Sequence, residues 1–149
     1  MLCELKMLVI NETLWDEDHI LKVHSSYDWD KPDAYIITDC VLETIREKFL
    51  DATDKQAILI VDLSKGEFPP WSQVLKIAKS FMLMRDAIVS GLECTIIYAD
   101  TNEKKQWVDR VLMIYAPAKP VHVVGTKTGI LDLIGDCRDR GVEATACNQ

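Results

Sequence analysis

The chain lacks an excess of positive charge. Its 149 residues hold 17 Lys and Arg against 24 Asp and Glu, a formal net charge of −7. Gripping a phosphate backbone needs clustered cations, and Lys104-Lys105 and Arg138/Arg140 are no more than pairs. No nucleic-acid partner is expected. No apolar run approaches the roughly 18 residues of a membrane span. The N-terminal MLCELKMLVINE carries acids and too short an apolar run for a signal peptide. The five cysteines, Cys3, Cys40, Cys94, Cys137 and Cys147, are odd in number and widely spaced, with no CxxC pair. That fits reduced thiols and a cytoplasmic location better than a disulfide framework. With no base beside them, Cys40, Cys94 and Cys137 read as small core residues.

Ligand and catalytic motifs are equally scarce. Of the three histidines, His19 and His24 fall five apart on an expected strand and so point to opposite faces. His122 has no Cys or Asp at ligand spacing, so no metal is expected. The acids Glu12, Asp16, Glu17 and Asp18 lack the glycine of a calcium loop and read as a solvated turn. GxGxxG, GxxxxGK(S/T) and GxSxG are absent. No cofactor is expected, and no catalytic residue stands out.

What is present is enough for one folded unit. Hydrophobic residues make up 48% and charged residues 28%, which suits a soluble globular domain with its own core. Nothing divides the chain, so residues 1–149 read as one domain with a loose tail over 142–149. Residues 3–10 and 19–25 read as a strand hairpin. Thr38 or Asp39 is placed to cap a helix with the stripe Val41, Leu42, Ile45 and Phe49. The run 57–63 is apolar on both faces, as in a central parallel strand.

A helix over about 70–90 follows, closed by Gly91 as a C-cap. Its polar stripe contains Ser72, Lys76, Lys79, Asp86 and Ser90, with Leu83 among them; Val74, Leu75, Ile77, Ala78, Phe81, Met82, Met84, Ile88 and Val89 form the apolar arc. Next come a strand over 94–99, a helix opened by Asp100 with Glu103 in a capping-box spacing, and a strand over 120–125. The penultimate helix buries Trp107, Val108, Val111, Leu112 and Tyr115. Thr126 or Thr128 opens the last helix, with Ile130, Leu131, Ile134 and Cys137 inward and Gly141 at its close. The order β-β-α-β-α-β-α-β-α implies an α/β fold with a mixed five-stranded sheet.

That order, and the strand ending Ile60-Val61-Asp62-Leu63-Ser64, resemble the STAS domain, the anti-sigma-factor-antagonist fold of SpoIIAA. In that family a helix begins with Asp-Ser-Ser-Gly, whose serine is phosphorylated by a partner kinase. Here Pro69-Pro70-Trp71-Ser72-Gln73 stands there; Ser72 falls near the family's serine, while the acidic neighbour and the glycine are missing. The resemblance implies a non-enzymatic regulatory or protein-interaction module with a protein partner, and leaves a homodimer open. Contact residues would be Ser64, Trp71, Ser72 and Leu83.

From the residues alone, Ser64 reads as a turn former and Ser72 as a first-turn residue beside free N–H groups, where a phosphate would also be favoured. The second resemblance is to CRAL-TRIO lipid-binding domains, which share the strand-helix alternation. It implies an apolar ligand in a cavity beside the helix holding Phe81, Met82, Leu83 and Met84, a stripe that otherwise reads as core. A third reading is an enzyme using Asp62 and Asp100, which end parallel strands where α/β sheets bind ligands. Both are otherwise turn and helix-start residues. Trp15, Trp29 and Trp71 read as covers over the core edge or, if exposed, as interface residues.

Overall fold

The run Ala57–Asp62 forms strand β3, and it is buried on both faces. The computed structural model describes residues 8–9, 19–24, 33–52, 55–64 and 68–147. Four parallel strands lie in the order β2 (Ile20–His24), β3, β4 (Leu92–Tyr98) and β5 (Val121–Val124). The register sets Leu21 beside Leu59, Ile60 beside Ile96, and Ile96 beside His122. Leu8–Val9, here β1, runs antiparallel along β2, with Leu8 opposite Val23. The rest of the expected strand 3–10, the acidic turn with Glu12, Asp16, Glu17 and Asp18, and the tryptophans Trp15 and Trp29 lie outside the described residues.

Among the described residues, five helices connect and cover these strands: α1 (Asp33–Asp51), α2 (Trp71–Leu83), α3 (Arg85–Gly91), α4 (Asn102–Ile114) and α5 (Lys127–Cys147). Each parallel strand is laid down next to the one before it. Right-handed crossovers then put every connecting helix on the same face. Accordingly α1 and α3 pack with Leu21, Ala57 and Leu59, and α2 and α4 lie over Leu59, Val61 and Ile97. Helix α5 follows the last strand and returns across the opposite face, against Ile20, Ile58, Ile60 and Ile96.

Local expectations fare unevenly. The stripe Val41, Leu42, Ile45 and Phe49 is fully buried. Helix α1, however, starts at Asp33, so Thr38 and Asp39 lie inside it and cap nothing. Thr38 is itself buried and extends the stripe back by one turn.

The expected single helix over 70–90 breaks at Met84 (φ −98°, ψ 22°). Its arc is also narrower than read: Leu75, Met82 and Val89 are exposed. Met84 drops into the core with Ala87 and Ile88. Gly91 does not cap; β4 begins directly after it. A Cβ at Gly91 would stand 1.9 Å from the Phe49 carbonyl oxygen, so glycine there permits the close approach of α3 to α1.

Helix α4 is capped by Thr101, whose Oγ1 accepts from the Lys104 N–H at 3.3 Å, and not by Asp100. Thr126 does open α5, accepting from the Gly129 N–H at 3.0 Å. Ile130, Ile134 and Cys137 face inward as expected, but Leu131 is 70% exposed and Leu133 packs instead. The helix continues past Gly141 to Cys147.

Candidate functional site

The Leu59/Val61 face of the sheet is incompletely closed by its helices. Two adjoining apolar lobes of about 170 and 210 Å³ lie under α1, α2 and α4. Both are lined by Leu59, Val61, Ile97, Pro69, Phe81 and Trp107. The smaller adds Val74, Ala78, Tyr115 and Lys119; the larger adds Thr38, Val41, Leu42 and Ile45. The gap traces to α4, which buries only Val108 fully. Trp107, Val111 and Leu112 on the same helix stay half-buried, held off the sheet.

An aromatic cluster stands beside the lobes. Phe68 stacks on Trp107 with centroids 4.8 Å apart, and Trp71 tilts against it at 6.1 Å. The few polar groups in the lining include Thr38 in the larger lobe and Thr95, Tyr115 and Lys119 in the smaller. Burial raises the Tyr115 phenol above its usual value, and the nearby Arg85 charge pulls the other way.

The strand-end acids take a different place. Asp62 is buried, and its Oδ1 accepts from the Ser64 N–H at 2.8 Å and the Ser64 hydroxyl at 2.5 Å. Its Oδ2 lies 3.7 Å from Lys22 Nζ. The Lys104 ammonium donates to Asp100 Oδ1 at 2.7 Å and to the Ser64 carbonyl at 3.3 Å. Asp62, Ser64, Lys104 and Asp100 therefore form one polar chain at the carboxyl edge of the sheet. It is a turn lock in which each carboxylate faces a cation. Neither acid lines the apolar lobes. The Ser64 hydroxyl is engaged by a carboxylate, a poor setting for an added phosphate.

Ser72 sits exposed in the first turn of α2 after Pro70, which makes no side-chain cap. Next to it Trp71 is 41% exposed, and further along α2 Leu75, Met82 and Leu83 (80%) are exposed as well. Gln73 in the same turn is buried, and its amide nitrogen has no hydrogen-bond partner among the described residues.

Sequence reasoning missed a cluster on the opposite face. Cys94, His122 and Cys137 come together with their ligand atoms all within 4.8 Å of one another. The two sulfurs are 3.1 Å apart. Burial, with the Cys137 thiol adding to it, pushes the Cys94 thiol up to about 12. No Cys or Asp lies at ligand spacing to His122 in the sequence, yet the fold brings two distant cysteines to it. Two signals pointed there: the inward place of Cys137 on α5, and the strand alternation that puts Cys94 and His122 on one face.

Among the described residues, no helix is long and apolar enough to cross a membrane. Comparison of the chain with family models, curated proteins and solved structures finds no match.

Proposed function

We propose that the protein works by binding, and that the cleft between the sheet and helices α2 and α4 takes a small apolar ligand with one anionic end. The observation that carries this is the pair of lobes of about 170 and 210 Å³, lined almost wholly by carbon. Each exceeds the roughly 150 Å³ of a dry cavity able to hold benzene. Together they sit at the lower end of ligand sites, about 300 Å³ upward. That size suits one ring or one medium-length chain, not a two-tailed phospholipid. Lys119 and Tyr115, both in the lining of the smaller lobe, supply a cation and a hydroxyl for a carboxylate. This is the carrier reading of CRAL-TRIO type.

The test uses decanoate and decanol as probes. Decanoate is expected to bind the full chain, seen by calorimetry, and more tightly than decanol. Lys119→Ala should erase that preference while Val61→Phe weakens both. Absence of binding by either probe, together with no ligand in native mass spectra of the purified protein, would sink the proposal.

A second reading rests on the exposed apolar residues Trp71, Leu75, Met82 and Leu83 of α2. On this reading the chain is a STAS-like module with a mixed five-stranded sheet, docking a protein partner through α2 beside Ser72. The strand order β1 to β5 and the Asp62-Leu63-Ser64 turn support it. Pull-down with wild type and Ser72→Ala, and a search for phosphate on the wild type, test it. No phosphate and an unchanged partner set would remove the switch; loss of the partners on Trp71→Ala and Leu83→Ser would support docking here.

A further inference from the structure

Among the described residues, helix α5 is the one that covers the second face of the sheet, and its inward stripe meets two strands at one point. Strand pairing puts Ile96 beside His122, and Cys94 is two residues earlier on the same face of β4. Cys137 follows Ile130 and Ile134 on the inward stripe of α5. Three elements thus converge on one spot, and each contributes a metal-ligating side chain. Cys94 and Cys137 are 2% and 5% exposed, while His122 is half-buried.

The surroundings favour a ligand over a simple thiol contact. Ile20, Ile58, Ile60 and Ile96 pack about the two cysteines, so the space around the sulfurs is largely aliphatic. Ligand atoms within 4.8 Å of one another fit around a single ion. With metal–sulfur distances of about 2.3 Å and metal–nitrogen distances of about 2.0–2.1 Å, the edges of a tetrahedral site come to roughly 3.5–3.8 Å. The 3.1 Å between the sulfurs needs to widen by about 0.7 Å to reach the sulfur–sulfur edge of such a site, within reach of small χ1 adjustments.

We propose that Cys94, His122 and Cys137 form a site for one zinc ion, with a water completing four ligands. Charge selects the metal. Two thiolates and a neutral imidazole balance a divalent ion, leaving no net charge in an aliphatic interior. A monovalent copper ion would leave an uncompensated negative charge, since the neighbouring Arg138 guanidinium already pairs with Glu93 at 2.8 Å. Thiolates and imidazole are the donors zinc prefers. The ion would pin α5 to β4 and β5, so binding stabilises the fold.

The experiment uses the full chain, reduced and stripped of metal, then titrated with cobalt(II) or zinc(II) alone. Cobalt is expected to bind one equivalent with a thiolate-to-metal charge-transfer band, which zinc displaces. Cys94→Ala and Cys137→Ala should abolish the band, His122→Ala should weaken binding at least tenfold, and Cys40→Ala should leave it intact. Zinc should also raise the melting temperature of the reduced, unmutated protein, and a chelator should reverse the rise, a readout that does not depend on any variant folding. The proposal is overturned if the reduced wild type gives no band, if the band survives in Cys94→Ala or Cys137→Ala, or if the non-reduced protein carries a Cys94–Cys137 disulfide.

Discussion

Replacing Ala78 by Leu should make the ligand-free protein more stable. Ala78 lines the smaller lobe from α2 and is half-buried. Leucine adds three carbons, each worth about 0.8 kcal/mol if fully buried, so the upper bound is about 2.4 kcal/mol. Half-burial reduces this to about 1–1.5 kcal/mol, and the helix propensity of Leu against Ala removes only a few tenths. At about 2–4 °C per kcal/mol for a chain of this length, the melting temperature should rise by about 2–6 °C. Urea denaturation should show a higher midpoint with an unchanged slope. The same variant should bind decanoate more weakly, because the side chain occupies part of the ligand's space. A loss of about 1–3 kcal/mol, the usual result of overpacking, would mean that the lobe is already filled by side chains and would refute the cavity argument.

Gly91→Ala should be costly for a residue at a helix end. Its Cβ would meet the Phe49 carbonyl oxygen at 1.9 Å and the carbonyl carbon at 2.6 Å, both backbone atoms that cannot swing away. A loss of at least about 2 kcal/mol is expected in urea denaturation, whereas a C-cap glycine without that contact would show about 1 kcal/mol or less. Thr101→Ala should cost about 1 kcal/mol through the lost cap of α4, and Asp100→Ala less, since its ion pair with Lys104 is partly exposed and such pairs contribute little. The reverse ranking would show that Asp100 is the cap. With metal removed, iodoacetamide at pH 8 should label exposed Cys40 quickly and Cys94 hardly at all. Burial pushes the Cys94 thiol up to about 12, so the thiolate that reacts is scarce. Rapid labelling of Cys94, read by peptide mass spectrometry, would show that α5 opens readily.

The elements with strong local pattern were legible in the chain. Ala57-Ile58-Leu59-Ile60 is apolar at every position, as a strand covered on both sides is. Val41, Leu42, Ile45 and Phe49 recur at helical spacing and are buried accordingly. What was not legible depended on distance or on absence. No proline or glycine marks the break at Met84; it follows from Met84 finding room in the core beside Ala87 and Ile88. Phe81, Met82 and Met84 look alike in sequence, yet one lines the cleft, one faces outward and one is core. A void leaves no mark on periodicity, because side chains around it are spaced like those of a filled core. Cys94, His122 and Cys137 are far apart in the chain, and only the β4–β5 register and the return of α5 bring them together.

One topological fact accounts for both sites. Because each parallel strand joins the sheet next to its predecessor, the crossovers α1, α2–α3 and α4 must share a face. Three crossovers abreast cannot all press equally on a twisted sheet. Helices α1 and α3 pack tightly through Phe49, Gly91 and Ile88, and α4 is left standing off with only Val108 sealed. The cleft is the result of that uneven competition. On the other face α5 is the one helix among the described residues. It settles across the strands, and its cysteine reaches the sulfur and imidazole of β4 and β5. A change that loosened α3 from α1 should therefore alter the cleft while leaving the thiol cluster unmoved, and a metal pinning α5 should raise stability without changing the affinity of the cleft for decanoate.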